Sequence, residues 1–158
     1  MSPTPPETTP LRVDVALVPA SGDGAPVRSQ TTYIVVDVIR ATTTLCVLFE
    51  RGCRRVLVAP DIPTARAARN RAREGHPATP APLLAGESGG LAPEGFDCGN
   101  SPAEIATLPL AGREVIFATT NGTRALRSCV GGGAIFAGAL RNARAVSAAA
   151  LNACAALA

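Results

Sequence analysis

The chain has 158 residues, 47% of them hydrophobic but only 3% aromatic, with no Trp and a formal net charge of +3. That length suits one domain with an aliphatic core, and so small a net charge excludes a nucleic-acid footprint built on charge alone. All 15 basic residues are Arg; this excludes a Schiff-base lysine and a Walker-type phosphate loop, and leaves guanidinium forks, backbone N–H groups and hydroxyls to hold any anion.

Residues 1–10 are rich in Pro and Thr and are expected to form a disordered leader ahead of one α/β domain over 11–158. No secretory leader pattern and no apolar run approaching ~20 residues is present, so a cytoplasmic protein with no membrane partner is expected. Residues 11–18 (LRVDVALV) alternate apolar and polar side chains, which predicts a strand. The 21–26 segment has turn chemistry. Residues 33–38 form an apolar run broken only by Asp37, the pattern of a strand buried on both faces.

From Arg40 a helix is expected, ended by Gly52, and 54–59 reads as a second strand. Residues 62–74 predict a helix whose Arg66, Arg69 and Arg73 form a solvated stripe. A Pro-rich connection over 75–82 carries the lone histidine, His76, as a solvated loop residue. A short apolar run at 83–85 precedes 86–102, a 17-residue segment with five Gly and two Pro. Loops of that length inside a compact domain are usually functional. A short helix over 102–106, a strand over 114–119, a helix after Asn121, a strand over 133–138 and a helix over 144–157 complete the chain. The alternation predicts an α/β fold with a mostly parallel sheet. Five scattered cysteines without a C-x-x-C or C-x5-R spacing read as free thiols in a reducing compartment.

In an open α/β sheet, ligands lie beyond the carboxyl ends of the strands, where helix N-termini offer unpaired N–H groups. Four segments put polar residues there. In the first, Asp37 closes an apolar strand, Arg40 can fork onto a phosphate or carboxylate, and Thr42, Thr43 and Thr44 either cap the next helix or cradle an oxyanion. The bland alternative pairs Asp37 with Arg40. The long loop gathers Glu87, Glu94 and Asp97 among glycines, with Asn100 behind them, and hard oxygens with room for water suit Mg²⁺. In the third, Asn121-Gly122 marks a turn and Thr123 and Arg124 enter the helix, where an Arg opposes the macrodipole. Arg141 and Asn142 form a weaker fourth.

At these residues the chain resembles the 2-phosphosulfolactate phosphatase family. VVDVIRATTT, GESGGLAPEGFDCGNSP, TTNGTRAL and AGALRNARAV follow its blocks in order, and LRVDVALVP is similar to its opening strand. The resemblance implies a mixed central sheet with helices on both sides, a three-layer αβα arrangement. It also implies a Mg²⁺-dependent acid phosphatase that cleaves 2-phospho-3-sulfolactate in the coenzyme M route. The family's motif residues fall here on Asp37, Arg40, Thr42, Thr43, Glu87, Glu94, Asp97, Asn100, Asn121, Thr123 and Arg124.

On that basis Asp37, Glu87 and Asp97 are expected to share the metal. Arg40 and Arg124 neutralise the phosphoryl oxygens, and Asp37 acts as nucleophile or water-activating base. Thr42, Thr43, Thr44, Asn100, Asn121, Thr123 and Arg141 are expected to bind a small anionic phosphorylated substrate. Family members run longer than this chain, so the alternative is a shortened, catalytically weak or inactive anion-binding member. A bare sheet edge is compatible with a homo-oligomer.

Overall fold

The computed structural model describes residues 11–17, 27–76 and 80–157. The expected leader over 1–10 and the turn at 21–26 lie outside the described residues, as do 77–79 of the Pro-rich connection.

Among the described residues five strands, β1 (Thr32–Val36), β2 (Arg55–Val58), β3 (Leu83–Gly86), β4 (Glu114–Ala118) and β5 (Ala134–Gly138), alternate with five helices. The helices are α1 (Ala41–Glu50), α2 (Ile62–Gly75), α3 (Pro102–Ile105), α4 (Gly122–Ser128) and α5 (Ala143–Leu157). A 3₁₀ turn, Leu140–Asn142, precedes α5. Every named strand pair is parallel, in two hydrogen-bonded sheets ordered β2-β4-β3 and β1-β5. The largely parallel α/β architecture expected from the alternation is therefore present.

The three layers follow from β4. Flanked on both edges, it buries four successive residues, Val115, Ile116, Phe117 and Ala118, none more than 2% exposed. Period-two alternation then divides them. Val115 and Phe117 join Leu45 and Leu48 of α1, Ile105 of α3 and Leu110, whereas Ile116 and Ala118 join Ala65 of α2 with Ala59 and Leu84. Helices thus cover both faces of this sheet.

The termini of the elements are locally encoded. Asp61 caps α2 by accepting the Thr64 N–H at 2.7 Å, with Pro63 behind it in the first turn; Pro is at home there because its missing N–H would be unpaired anyway. Gly52, at φ +80°, ends α1 as expected, and the N–H groups of Gly52 and Cys53 close on Phe49 and Leu48. His76 is exposed, and its backbone N–H closes the last turn of α2 on Ala72.

Three expectations are corrected. Residues 11–17 form no strand and are exposed, with Val13, Val15 and Leu17 at 75%, 82% and 94%; alternation describes a strand only where an edge receives it. The 33–38 run is not buried on both faces: Ile34 and Val36 are 43% and 64% exposed, and among the described residues β1 has a neighbouring strand, β5, on one edge alone. The continuous apolar run of a doubly buried strand belongs to β4. The Arg stripe of α2 is not merely solvated. Arg66 donates to the Glu94 carbonyl, and Arg69 donates to the Asp97 carboxylate at 3.1 Å and the Gly95 carbonyl at 3.3 Å, so α2 holds down the long loop. Among the described residues no helix is long and apolar enough to cross a membrane.

Candidate functional site

The carboxyl ends of β1, β2, β3 and β4 deliver Asp37, Asp61, Glu87 and the 119–124 turn, respectively. Two depressions lie against that turn. One, of about 180 Å³, is lined by Pro60, Asp61, Glu87, Ser88, Thr120 and Arg124 among others. The second, of about 200 Å³, is lined by Val35, Val36, Asp37, Asn121, Gly122 and Ala125.

Asp37 is held by its backbone. Its N–H donates to the Thr42 hydroxyl at 3.0 Å, and its carbonyl accepts from the Thr42 N–H at 2.9 Å and the Thr42 hydroxyl at 2.7 Å. The half-buried carboxylate itself makes no hydrogen bond or ion pair among the described residues. It lies against Gly122: a Cβ there would stand 2.7 Å from Asp37 Oδ2 and 2.4 Å from the Ala41 Cβ. The close approach of the two strand-end turns therefore requires a glycine.

Glu87 ties the long loop to β4. One carboxylate oxygen accepts the Thr120 N–H at 2.7 Å and the other the Gly90 N–H at 2.8 Å, while its own N–H donates to the Ala118 carbonyl at 3.0 Å. Arg40 reaches the same loop, donating to the Gly90 carbonyl at 2.9 Å. Burial would push the Glu87 carboxyl up; the hydrogen bonds from Thr120 and Gly90, helped by the Arg40 charge, outweigh it and hold the group below its ordinary value of 4.5. A carboxyl depressed by folding stabilises the protein above its unfolded value, and that contribution fades as pH falls through the folded value. Glu87→Gln keeps the shape but turns one acceptor into a donor facing an N–H. It is expected to cost about 1–3 kcal/mol at neutral pH, a difference that shrinks once pH drops below that range. Urea titrations of both chains between about pH 3 and pH 7 check this; parallel stability profiles would contradict it.

The other expected site residues have different surroundings. Thr42, Thr44 and Thr123 are fully buried. The hydroxyls of Thr42, Thr43 and Thr44 donate to the carbonyls of Asp37, Val38 and Asn100, at 2.7, 2.7 and 3.4 Å, so they pin the backbone. The Asp37–Arg40 ion pair does not form. Thr123 interlocks with Thr119 through three hydrogen bonds of 2.9–3.1 Å. Asn100 is 5% exposed, and its side-chain oxygen has no partner.

Asp97 is engaged through one oxygen: Oδ2 accepts from Arg69 at 3.1 Å and from the Leu84 N–H at 2.7 Å. Arg141 binds Glu50 at 2.6 Å. Its guanidinium is thus engaged by the C-terminal residue of α1. Among the described residues no three His, Cys, Asp or Glu side chains are grouped to hold a metal. A cysteine nucleophile finds no support either. All five thiols are free, and burial, reinforced by Glu104 and Asp97, pushes Cys98 up to about 12.

Asp61 is the lining residue that the sequence reading passed over. The signal was present: like Asp37, it closes a strand and opens a helix. Arg124, on the same depression, forms no hydrogen bond or ion pair among the described residues.

A parallel α/β protein with an unengaged guanidinium and an unengaged carboxylate on either side of one strand-end turn is built to meet a small anion. The family model for 2-phosphosulpholactate phosphatase matches residues 21–156, and the chain belongs to that family. Relatives named probable 2-phosphosulfolactate phosphatase include one from Deinococcus radiodurans, 46% identical over 57% of this chain and 35% of its own length. One from Thermus thermophilus is 41% identical over 73% of this chain and 42% of its own. One from Carboxydothermus hydrogenoformans is 32% identical over 87% of this chain and 52% of its own. The chain thus spans about a third to a half of the length of these curated relatives.

Proposed function

We propose that this chain carries the phosphate-handling part of a Mg²⁺-dependent phosphatase acting on 2-phospho-3-sulfolactate or a related small phosphorylated acid. The observation that carries this reading is that the unengaged Asp37 carboxylate and the unengaged Arg124 guanidinium line the two depressions that lie against the 119–124 turn. The substrate lies over the turn with its phosphoryl group between them. Arg124 neutralises phosphoryl oxygens as charge spreads over them. Asp37 acts from the other side, as nucleophile or as base for the attacking water. The new P–O bond forms as the ester bond to the C2 oxygen breaks and that oxygen takes up a proton from water; where Asp37 is the nucleophile, a further water then cleaves the aspartyl phosphate and releases phosphate. Arg40 contributes by holding the Gly90 end of the loop in place. The five free thiols fit a cytoplasmic setting.

The donor set suits Mg²⁺ in one form. Asp37 has a free hard-oxygen donor, and Glu87 keeps a lone pair on each oxygen beyond those its N–H partners use; Asp97 is engaged through Oδ2 by Arg69. One or two carboxylates, completed by water and substrate oxygens, is the usual way Mg²⁺ is held. When bound, the ion would supply charge neutralisation at the phosphoryl oxygens. Phosphate release from an aryl phosphate and from small phosphorylated acids is expected to need Mg²⁺ and to fall to background with chelator. Release that ignores chelator would remove the metal from this reading. No release under any condition would favour the anion-binding alternative.

A further inference from the structure

The depression that holds Arg124 has an unusual charge balance for an anion site. One guanidinium shares about 180 Å³ with two carboxylates, Asp61 and Glu87, and the polar residues Ser88, Thr119 and Thr120. That space equals the liquid volume of roughly six waters, enough for one tetrahedral oxyanion with a few of them. Glu87 gives one acceptor site on each oxygen to the Thr120 and Gly90 N–H groups, so both oxygens are already oriented by the turn and the loop. Asp61 is committed only in part. It accepts from Thr64, and an ionised carboxylate has about four acceptor sites, so acceptor capacity remains. Asp61 and Arg124 line the same space without forming an ion pair, although the Arg124 charge helps to hold the Asp61 carboxyl below its ordinary range, after the larger effect of Thr64.

Resting on the proposed function, we infer that Asp61 is a specificity-determining residue: it makes the Arg124 depression select an oxyanion that still carries a proton. A carboxylate acceptor facing a bound anion repels it unless the anion has an O–H to donate. Phosphate near neutral pH keeps at least one P–OH, as does the monoanion of a phosphate monoester. Sulfate and sulfonate have none. On a substrate bearing both a phosphoryl and a sulfonate group, Asp61 therefore turns the phosphoryl end, as its monoanion, toward Arg124 and keeps the sulfonate out.

The test is separable from helix capping, because Asn and Ser cap as Asp does. Isothermal titration of the full chain with inorganic phosphate and with sulfate is expected to show phosphate preferred. In Asp61→Asn, sulfate should bind several-fold more tightly and the preference should shrink toward unity, with an unchanged thermal midpoint. Asp61→Ser should behave alike and serves if the first variant folds poorly. An unaltered phosphate-to-sulfate ratio in both folded variants overturns the assignment of Asp61. Arg124→Gln separates the underlying reading: it should weaken both anions, and if it left both affinities unchanged, the depression would not be the anion site.

Discussion

Asp37→Asn is expected to lower phosphate release by about 10²–10⁴-fold while changing stability by less than about 1 kcal/mol. The asymmetry comes from how Asp37 is held. Its backbone N–H and carbonyl are fixed by three hydrogen bonds to Thr42, which the variant retains. The carboxylate has no hydrogen-bond partner to lose, so an isosteric amide removes charge and basicity and little else. It fits the same 2.7 Å approach to the position a Gly122 Cβ would take. The check is kcat and KM for a small phosphorylated acid beside a thermal melt of the same preparations. Undiminished kcat in the variant would take Asp37 out of the chemistry. A collapsed melt would instead reassign it to the fold.

Gly86→Ala should be the most damaging methyl group that can be added near the cleft. Gly86 sits at φ +151°, and a Cβ there would lie 1.8 Å from the Ala118 carbonyl oxygen, inside any tolerable contact. That carbonyl also accepts the Glu87 N–H at 3.0 Å. Relief of the overlap must therefore part β3 from β4 at the point where Glu87 is anchored. A loss of about 3–5 kcal/mol is expected, at the upper end of single substitutions, with a lower urea midpoint. Phosphate affinity should fall as well, because Thr120 and the loop would no longer share Glu87. A variant with the parental midpoint would show that the strand ends are less closely joined than the geometry requires. Gly89→Ala is the control: its Cβ would meet nothing within 4 Å, so it should cost only the ~1 kcal/mol of a side chain in the left-handed region.

The alternation of elements, some of their termini and the gathering of polar residues at the carboxyl ends of the strands were legible from residue order alone. Gly52 after α1 is such a short-range signal, resolved within a few residues. Burial was less so. The 33–38 run and β4 look alike as strings of apolar residues, yet β4 is doubly flanked and β1 is paired on one edge; neighbours, not composition, set exposure. The strand expected over 11–18 failed for the same reason: nothing in the described structure pairs with residues 11–17.

By itself the sequence determined that guanidinium, hydroxyl and carboxylate groups would collect after the strands, because those positions follow from local periodicity and turn chemistry. Only the tertiary structure decided which of them stay available. Arg69 claims Asp97 across 28 residues and Glu50 claims Arg141 across 91, while Thr42 and Thr123 turn their hydroxyls to nearby backbone. Asp37, Asp61 and Arg124 are left facing open space around one turn. Long polar side chains reach whichever partner the packing brings close, and that proximity is a property of the folded chain that no local pattern contains.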